Sequence, residues 1–274
     1  FINNDIMNLR NHRNVAMFNN NYINVLGSID RNKNFITSVS IDTPSIPIQY
    51  FHNLIPSSFS ADSVYANPFL NQKNGGLGLS TQYKHGNSTF MLGMHDSGNH
   101  SGLFGQASDD TKTIATSFIH NSRSVDHLAV ISGVMEEKDT LLGSKHSGAI
   151  GISGSNPKSY FNGFNIEHSF KDNLFFKANT ILARTIVKNP NNSLIHSFSP
   201  ISSSSFEISL IKKNIFDTDD RLLISLSQPN RIETGSMNFK IQDLADRYGN
   251  INHDLKKINL EPSGRQIDFS LNYV

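Results

Sequence analysis

Histidines close to an acidic residue are the side chains of this sequence with the clearest capacity for chemistry. His95 and His100 occur with Asp96 in the segment HDSGNHSG. Two imidazoles and a carboxylate can ligate zinc. The same residues also suit a polar, exposed hairpin loop in which histidine only forms hydrogen bonds. We favour the loop and predict neither a metal site nor a bound cofactor.

Serine, histidine and acidic residues are also abundant enough to raise the possibility of a hydrolase. A catalytic triad needs a fold that exposes a nucleophilic serine beside its base. The glycine-rich segment GISGSN, at Gly151–Asn156, does not match the G-x-S-x-G turn of hydrolases, and no subtilisin-type segment surrounds a serine. We therefore predict no catalytic residue, and the chain is not expected to be an enzyme.

The composition excludes several classes of protein. Hydrophobic residues make up 37% and charged residues 17% of the 274 positions, against about 45–50% and about 25% in ordinary soluble domains. A net charge of +1 together with 19 Phe argues against disorder. No Lys/Arg cluster suggests a nucleic-acid partner, and the absence of Cys rules out disulfides. No apolar run is long enough for a transmembrane helix.

The elements that would position these residues are predicted to be strands. From Ile267 to Tyr273 every second residue is large and apolar, while Asp268, Ser270 and Asn272 fill the gaps, which is the periodicity of a strand with two unlike faces. The opposite face is small and hydroxylated in several strands, which suits a crowded, wet interior. Turn signals separate candidate strands at 34–41, 77–84, 88–94, 113–120, 127–136, 148–154, 160–168, 174–187, 205–212, 221–228, 236–242, 255–260 and 266–274.

The first 26 residues differ from the rest. Between Asn4 and Val25 the apolar residues fall at spacings of three, four and seven, which predicts one helical stripe. We expect two units: a linker or lumenal helix at 1–26 and an all-β domain at 27–274.

The alternating pattern alone fits two architectures about equally. A transmembrane barrel needs about nine to eleven residues per strand, an apolar exterior and a polar lumen, and about twelve such strands would use nearly the whole chain. A soluble β-sandwich would instead pack the apolar faces against each other.

A resemblance in the second half of the chain favours the barrel. The segments LLGSKHSGAIGI, RLLISLSQPNRIETGSMNFKI and INLEPSGRQIDFSLNY resemble the C-terminal β-domain that follows subtilisin-like serine protease domains in Gram-negative bacteria. The residues that carry it are Leu142, Gly143, Ser144, Ser147, Gly148, Ala149, Ser227, Gln228, Pro229, Arg231, Gly235, Leu260, Pro262, Ser263, Gly264, Arg265, Asp268 and Phe269. ANPFL at Ala66–Leu70 and SIDRNKNF at Ser28–Phe35 fit more loosely.

Such domains are similar to autotransporter translocators. The resemblance implies an antiparallel up-and-down transmembrane barrel of about twelve strands in the outer membrane, with an N-terminal helix in its lumen. The expected partners are outer-membrane lipid, the barrel-assembly machinery and a covalently attached passenger protease upstream, and the barrel is expected to be monomeric. The chain departs from this group in being rich in Asn and poor in Ala and Gly.

Two short segments acquire a candidate role from this resemblance. Phe269, Leu271 and Tyr273 resemble the amphipathic last strand that the assembly machinery recognises, although Val274 follows the final aromatic residue. Asn3 and Asn4 resemble a linker that some autotransporters cut by cyclisation of an Asn side chain. Two alternatives stay open: a soluble β-sandwich that serves a secreted protease as an accessory or attachment domain, and a stand-alone porin-like channel.

Overall fold

The computed structural model describes residues 6–8, 14–19, 22–28, 34–41, 69, 76–97, 110–122, 125–142, 144–145, 148–170, 173–191, 193–217, 220–245, 247–249 and 251–273. Within these residues the fold is all-β, and a 3-10 helix at Gly148–Ile150 is the single helical element.

The strands follow one another with few interruptions. They are β1 Ile6–Asn8, β2 Asn14–Asn19, β3 Tyr22–Ser28, β4 Phe35–Ile41, β5 Leu77–His85, β6 Ser88–Asp96, β7 Thr111–His120, β8 His127–Glu137, β9 Thr140–Leu141, β10 Ser144–Lys145, β11 Lys158–Phe170, β12 Leu174–Ile186, β13 Ile195–Phe198, β14 Ile201–Lys213, β15 Arg221–Thr234, β16 Ser236–Ala245, β17 Ile251–Asn259 and β18 Asp268–Tyr273.

One large antiparallel sheet of 13 strands contains most of them, in the order β1-β2-β3-β4-β5-β6-β7-β8-β11-β12-β14-β15-β18. Each strand pairs with its neighbour along the chain once the inserted strands β9, β10, β13, β16 and β17 are skipped, so the sheet is a meander, as predicted. The closing pair of a barrel is not observed: within the described residues, no ladder joins β18 to β1 or β2.

The two ends of the sheet carry connections of different length. At one end, which we call the short-turn rim, the turn between β5 and β6 is Gly86 and Asn87, and Gly86 has the φ of 57° that such a two-residue turn requires. The other connections at this rim are 9–13, 29–34, 121–126, 171–173 and 214–220. The opposite end, the long-connection rim, holds the two-residue connection 20–21 and the longer connections 42–76, 97–110, 138–157, 187–200 and 235–267.

Two small sheets are built from the inserts at the long-connection rim. β13, β16 and β17 form a three-stranded antiparallel sheet, and β9 pairs with β10. The described side chains of β17, at 253–259, are exposed, and Tyr248 at the tip of the β16–β17 hairpin is 86% exposed. These inserts enlarge one end of the molecule only.

An apolar cluster fills part of one face of the large sheet. Phe69, from the connection between β4 and β5, is 1% exposed and stacks on Phe161 of β11 with ring centroids 5.1 Å apart. Met91, Ile131, Ile181 and other apolar residues surround the two rings. One side chain of the ANPFL segment, Phe69, therefore packs against the large sheet.

The structure differs from the sequence prediction at two segments. The helix predicted for Asn4 to Val25 is not shown, and strands β1, β2 and most of β3 occupy that part of the chain. Asn is a poor helix former, and pairing through β3 to β4 supplies the backbone partners instead. The strand predicted for Gly148–Gly154 is wrong, because a 3-10 helix and a turn occupy it.

Candidate functional site

The two faces of the large sheet have opposite polarity, and the apolar one is exposed. β5 illustrates the pattern: Leu77 and Leu79 are 51% and 42% exposed, whereas Ser80 and Gln82 are 5% and 8% exposed. We call the first side the outer face and the second the inner face. In a soluble sheet the apolar side chains would be the ones removed from water.

The same polarity continues around the sheet, except where the apolar cluster around Phe69 and Phe161 covers part of the inner face of β6, β7, β8, β11 and β12. Exposed apolar residues of the outer face include Val39, Leu92, Met94, Ile114, Val130, Phe164, Leu182, Ile208, Leu210, Ile224, Leu226, Phe269 and Leu271. Buried polar residues of the inner face include Ser38, Ser40, Thr113, Ser117, Ser159, Asn165, Thr185, Ser203, Ser209, Ser225 and Ser227. Hydroxyl pairs link strands on this face, as between Ser159 and Thr185 at 2.8 Å and between Ser225 and Ser270 at 2.6 Å.

Charged residues border the outer face towards the long-connection rim. Lys112 Nζ lies 3.2 Å from Asp96, and Lys158 Nζ lies 3.1 Å from Glu136. Arg184 occupies the corresponding part of β12, in register with Tyr160. The apolar band therefore ends at a charged row on this side.

Aromatic rings gather on the outer face near the short-turn rim. Phe90 and Phe118 have ring centroids 4.9 Å apart, and Phe216 meets Tyr273 edge-on at 6.0 Å. Tyr83, with 47% of its surface exposed, continues this row on β5. Aromatic residues with a polar tip or edge suit a boundary between an apolar and an aqueous medium.

Charged groups also occur on the inner face, where they pair within the sheet. Lys177 Nζ of β12 lies 2.7 Å from Glu167 of β11, which is in register with His127 of β8. Glu207 of β14 accepts a hydrogen bond from Ser209 at 3.0 Å. These groups form a polar zone that continues across β8, β11, β12 and β14.

Several atoms of this zone have no hydrogen-bond partner among the described residues. Asn165 is 2% exposed and both atoms of its amide are unpaired, as are Glu207 Oε2 and His127 Nε2. Buried polar atoms normally have partners. The inner face therefore offers donors and acceptors to water or to another polar group beside the sheet.

A network around Glu233 holds the long-connection rim together. Its Oε2 accepts hydrogen bonds from Arg231 at 2.6 Å and from Arg265 at 2.8 Å, and Oε1 accepts one from Ser204 at 2.6 Å. Arg265 also donates to the Gln228 side chain at 2.5 Å. We call Gln228, Arg231, Glu233 and Arg265 the Glu233 clasp.

The clasp attaches the segment before the last strand to β15. Arg231 donates to the carbonyl oxygens of Pro262 at 2.9 Å and Gly264 at 3.3 Å. The ladder between β15 and β18 covers only Leu222 to Ser227 of β15. Side-chain bonds thus continue the attachment beyond the point where strand pairing stops.

Two carboxylates organise the short-turn rim. Asp220 accepts hydrogen bonds from the amides of Ile215 and Phe216 and from the Tyr273 hydroxyl, at 2.6, 2.7 and 2.8 Å. Burial alone would raise the pKa of Asp220, but these hydrogen bonds outweigh it and lower the pKa. Asp126 accepts from the hydroxyl and the amide of Ser169, and these bonds lower the pKa of Asp126.

The residues predicted from the sequence fall at different places. Phe269, Leu271 and Tyr273 lie on the outer face of β18 and are 68%, 60% and 54% exposed. They are not enclosed between two stacked layers. Asn3 and Asn4 lie outside the described residues.

The histidine segment is divided between the two faces of β6. His95 is buried on the inner face, while Asp96 pairs with Lys112 on the outer face; His100 lies outside the described residues. No group of three or more potential metal ligands occurs in the described part of the chain.

Sequence reasoning identified three of the clasp residues, Gln228, Arg231 and Arg265, only as part of a resemblance. Glu233 was missed, and no role was assigned to Arg231 or Arg265. A usable signal was present, because charged residues are scarce in this chain and three of them fall in two short motifs that the meander brings together.

Comparisons identify no relative: no protein family, no curated protein and no solved structure matches this chain. Among the described residues, no helix is long and apolar enough to cross a membrane.

Proposed function

We propose that this chain is the outer-membrane β-barrel of an autotransporter from a Gram-negative bacterium. In this role it anchors an upstream subtilisin-like protease and assists its export across the membrane. The chain itself carries no catalytic residue, and its partners are lipid, the barrel-assembly machinery and the covalently attached passenger.

The inverted polarity of the sheet is the observation that carries this proposal. Large apolar side chains such as Leu79 and Leu182 are exposed, whereas Ser80 and Ser227 are buried. A hydrocarbon environment would stabilise the outer face, and hydrated groups in a lumen would satisfy the inner one. The border of ion pairs and the aromatic rings near the opposite rim support the same orientation.

The unequal rims also support the proposal. Outer-membrane barrels have short turns on the periplasmic side and longer loops outside the cell. The short-turn rim would then face the periplasm, and the sheet formed by β13, β16 and β17 would project from the cell surface. β18 ends at the short-turn rim, the side from which the assembly machinery acts.

Strand direction is compatible with closure between β2 and β18. Setting aside the three-residue β1 leaves twelve strands in the meander, so its first and last strands run antiparallel. Both β2 and β18 have six residues. Closure would need β1 to leave the edge of β2, with which it pairs at Met17, Ala16 and Val15.

A soluble β-sandwich is the second candidate, and the apolar cluster around Phe69 favours it. Such a cluster could be the start of a core between two layers. It does not account for the exposed outer face, whose apolar residues far outnumber those of the cluster.

A tryptophan reporter tests the proposal, because the chain has no Trp of its own. Leu182→Trp places the indole on the outer face of β12, and Phe216→Trp places it in a short turn beyond the strands. In vesicles of lipids whose acyl chains are brominated near their methyl ends, we expect the Trp fluorescence of the first variant to be strongly quenched. That of the second variant should be weakly quenched. Both should give a heat-modifiable band on gel electrophoresis in detergent.

The same variants can also exclude a membrane role. If the protein folds as a monomer in buffer without detergent and the Leu182→Trp fluorescence is insensitive to brominated lipid, the membrane role is excluded and the β-sandwich is supported.

A further inference from the structure

Two basic residues lie at the end of β12 that points towards the long-connection rim. Arg184 is exposed at the outer-face position that follows Leu182, which is 59% exposed. Exposure then alternates through Ile186, Val187 and Lys188, so Lys188 continues the outer face beyond the end of the strand. Both cations therefore lie at the border of the apolar band.

The other cations of this border are neutralised within the sheet. Lys112 pairs with Asp96, and Lys158 pairs with Glu136. Among the described residues, neither of the two basic residues at the end of β12 forms an ion pair. The border thus carries two uncompensated positive charges, in a chain whose net charge is only +1.

Hydroxyl groups flank Arg184 on both neighbouring strands. Tyr160 of β11 and Ser202 of β14 are in register with Arg184, so the three side chains share the outer face. Tyr160 is 46% exposed. A guanidinium between two hydroxyl donors suits a phosphate group, whose oxygens accept charge-assisted hydrogen bonds.

The spacing of Arg184 and Lys188 favours a ligand with two phosphates. Four residues of extended chain span about 14 Å. Side chains of a strand stand roughly perpendicular to the sheet, so a single phosphate does not meet both cations. A headgroup that carries two separated phosphates can contact each of them.

We propose that Arg184 and Lys188 bind the two phosphates of a diphosphorylated glycolipid in the outer leaflet of the membrane. The inference rests on the proposed function, which places the long-connection rim outside the cell and these cations at the level of the outer headgroups. The acyl chains of the lipid would lie against Leu182 and its apolar neighbours on the outer face.

Native mass spectrometry of the folded full chain in detergent tests the site, with diphosphoryl lipid A, its monophosphoryl form and cardiolipin as probes. We expect the unmodified chain to bind the diphosphoryl form roughly fivefold more tightly than the monophosphoryl form. Arg184→Gln and Lys188→Gln should each weaken the binding of the diphosphoryl form roughly fivefold. Lys212→Gln is the matched control, because Lys212 lies on the outer face of β14 towards the short-turn rim, and it should leave the binding unchanged.

Three results would overturn the proposal. The first is a double variant, Arg184→Gln with Lys188→Gln, that binds diphosphoryl lipid A as tightly as the parent. The second is an equal loss of binding in Lys212→Gln, and the third is equal binding of cardiolipin or the monophosphoryl form by the parent. Heat modifiability is measured on the same samples. A chain that forms no barrel contradicts the proposed function, whereas a folded barrel without this lipid preference contradicts only the lipid site.

Discussion

Charged side chains in this chain are scarce, and those of the Glu233 clasp act together. Glu233 is the common acceptor for two arginines and a serine, and one of those arginines also reaches Gln228 and the other reaches the backbone before β18. Charge-assisted hydrogen bonds of this kind are shorter and stronger than neutral ones. At the residue scale, this carboxylate is the main determinant of how the last connection is held.

We expect Glu233→Gln to destabilise the folded chain by about 2 kcal/mol, since hydrogen bonds to a charged group contribute about 1.5–3 kcal/mol. The measurement is the free energy of unfolding by guanidinium in detergent. Glu261→Gln is the control, because Glu261 Oε1 lies 3.8 Å from Arg231 and is widely exposed, and it should change the stability little. Equal effects of the two substitutions would show that the clasp has no special role.

Asp220 links the last aromatic residue to the neighbouring turn, and its effect should depend on pH. Its hydrogen bonds lower the pKa in the folded state, so the stabilisation is complete above the unfolded pKa of about 3.9. It should be lost as the pH falls through the lower, folded pKa. Asp220→Asn should remove this part of the acid dependence, as followed by heat modifiability from pH 6 to pH 2. Asp254→Asn, in the exposed strand β17, should leave the acid profile unchanged.

At the scale of the elements, close packing between strands limits which residues fit. An alanine Cβ at Gly133 of β8 would lie 2.4 Å from the Phe161 ring and 2.7 Å from the Ile114 carbonyl oxygen. The ring cannot move freely because it also stacks on Phe69. The residue size at this position therefore limits how closely β7, β8 and β11 approach each other.

Gly133→Ala should accordingly cost about 1–3 kcal/mol of stability, the usual range for overpacking. The free energy of unfolding in detergent is the measurement. Gly264→Ala provides a comparison, because a Cβ at Gly264 would meet no atom within 4 Å. A Gly133→Ala chain as stable as the Gly264→Ala chain would contradict the packing argument.

Strand positions were largely predictable from the sequence, because the period of two is a local signal. Candidate strands such as 88–94 and 127–136 correspond closely to β6 Ser88–Asp96 and β8 His127–Glu137. The prediction was wrong at Gly148–Gly154, where apolar residues alternate without a neighbouring strand to pair with. The N-terminal helix is not shown, and strands β1 to β3 lie in its segment, where strand pairing overrides a weak helical pattern.

The clasp and the polar zone could not be predicted in the same way. Both depend on register, which brings Glu167 opposite Lys177 and Asn165 opposite Asn179 across two strands. A shift of one residue would reverse the faces. Composition indicates that one face is polar, but only the pairing of strands shows which polar residues meet.

At the scale of the whole molecule, the exposed outer face and the unequal rims both support the orientation proposed for the chain in a membrane. The outer apolar residues of β7 lie between Lys112 and His120, a rise of about 27 Å along the strand at about 3.4 Å per residue. Strand tilt reduces this height, which suits a thin bilayer such as the bacterial outer membrane.

The unequal lengths of the connections at the two rims also predict where related sequences can differ in length. Insertions and deletions should accumulate in the long connections of one rim, such as 97–110 and 235–267, where the chain leaves the sheet for many residues. Two-residue turns such as Gly86–Asn87 leave no such freedom. Divergent descendants should therefore keep one end of the molecule almost constant in length while the other evolves rapidly, as surfaces exposed to immune or viral recognition often do.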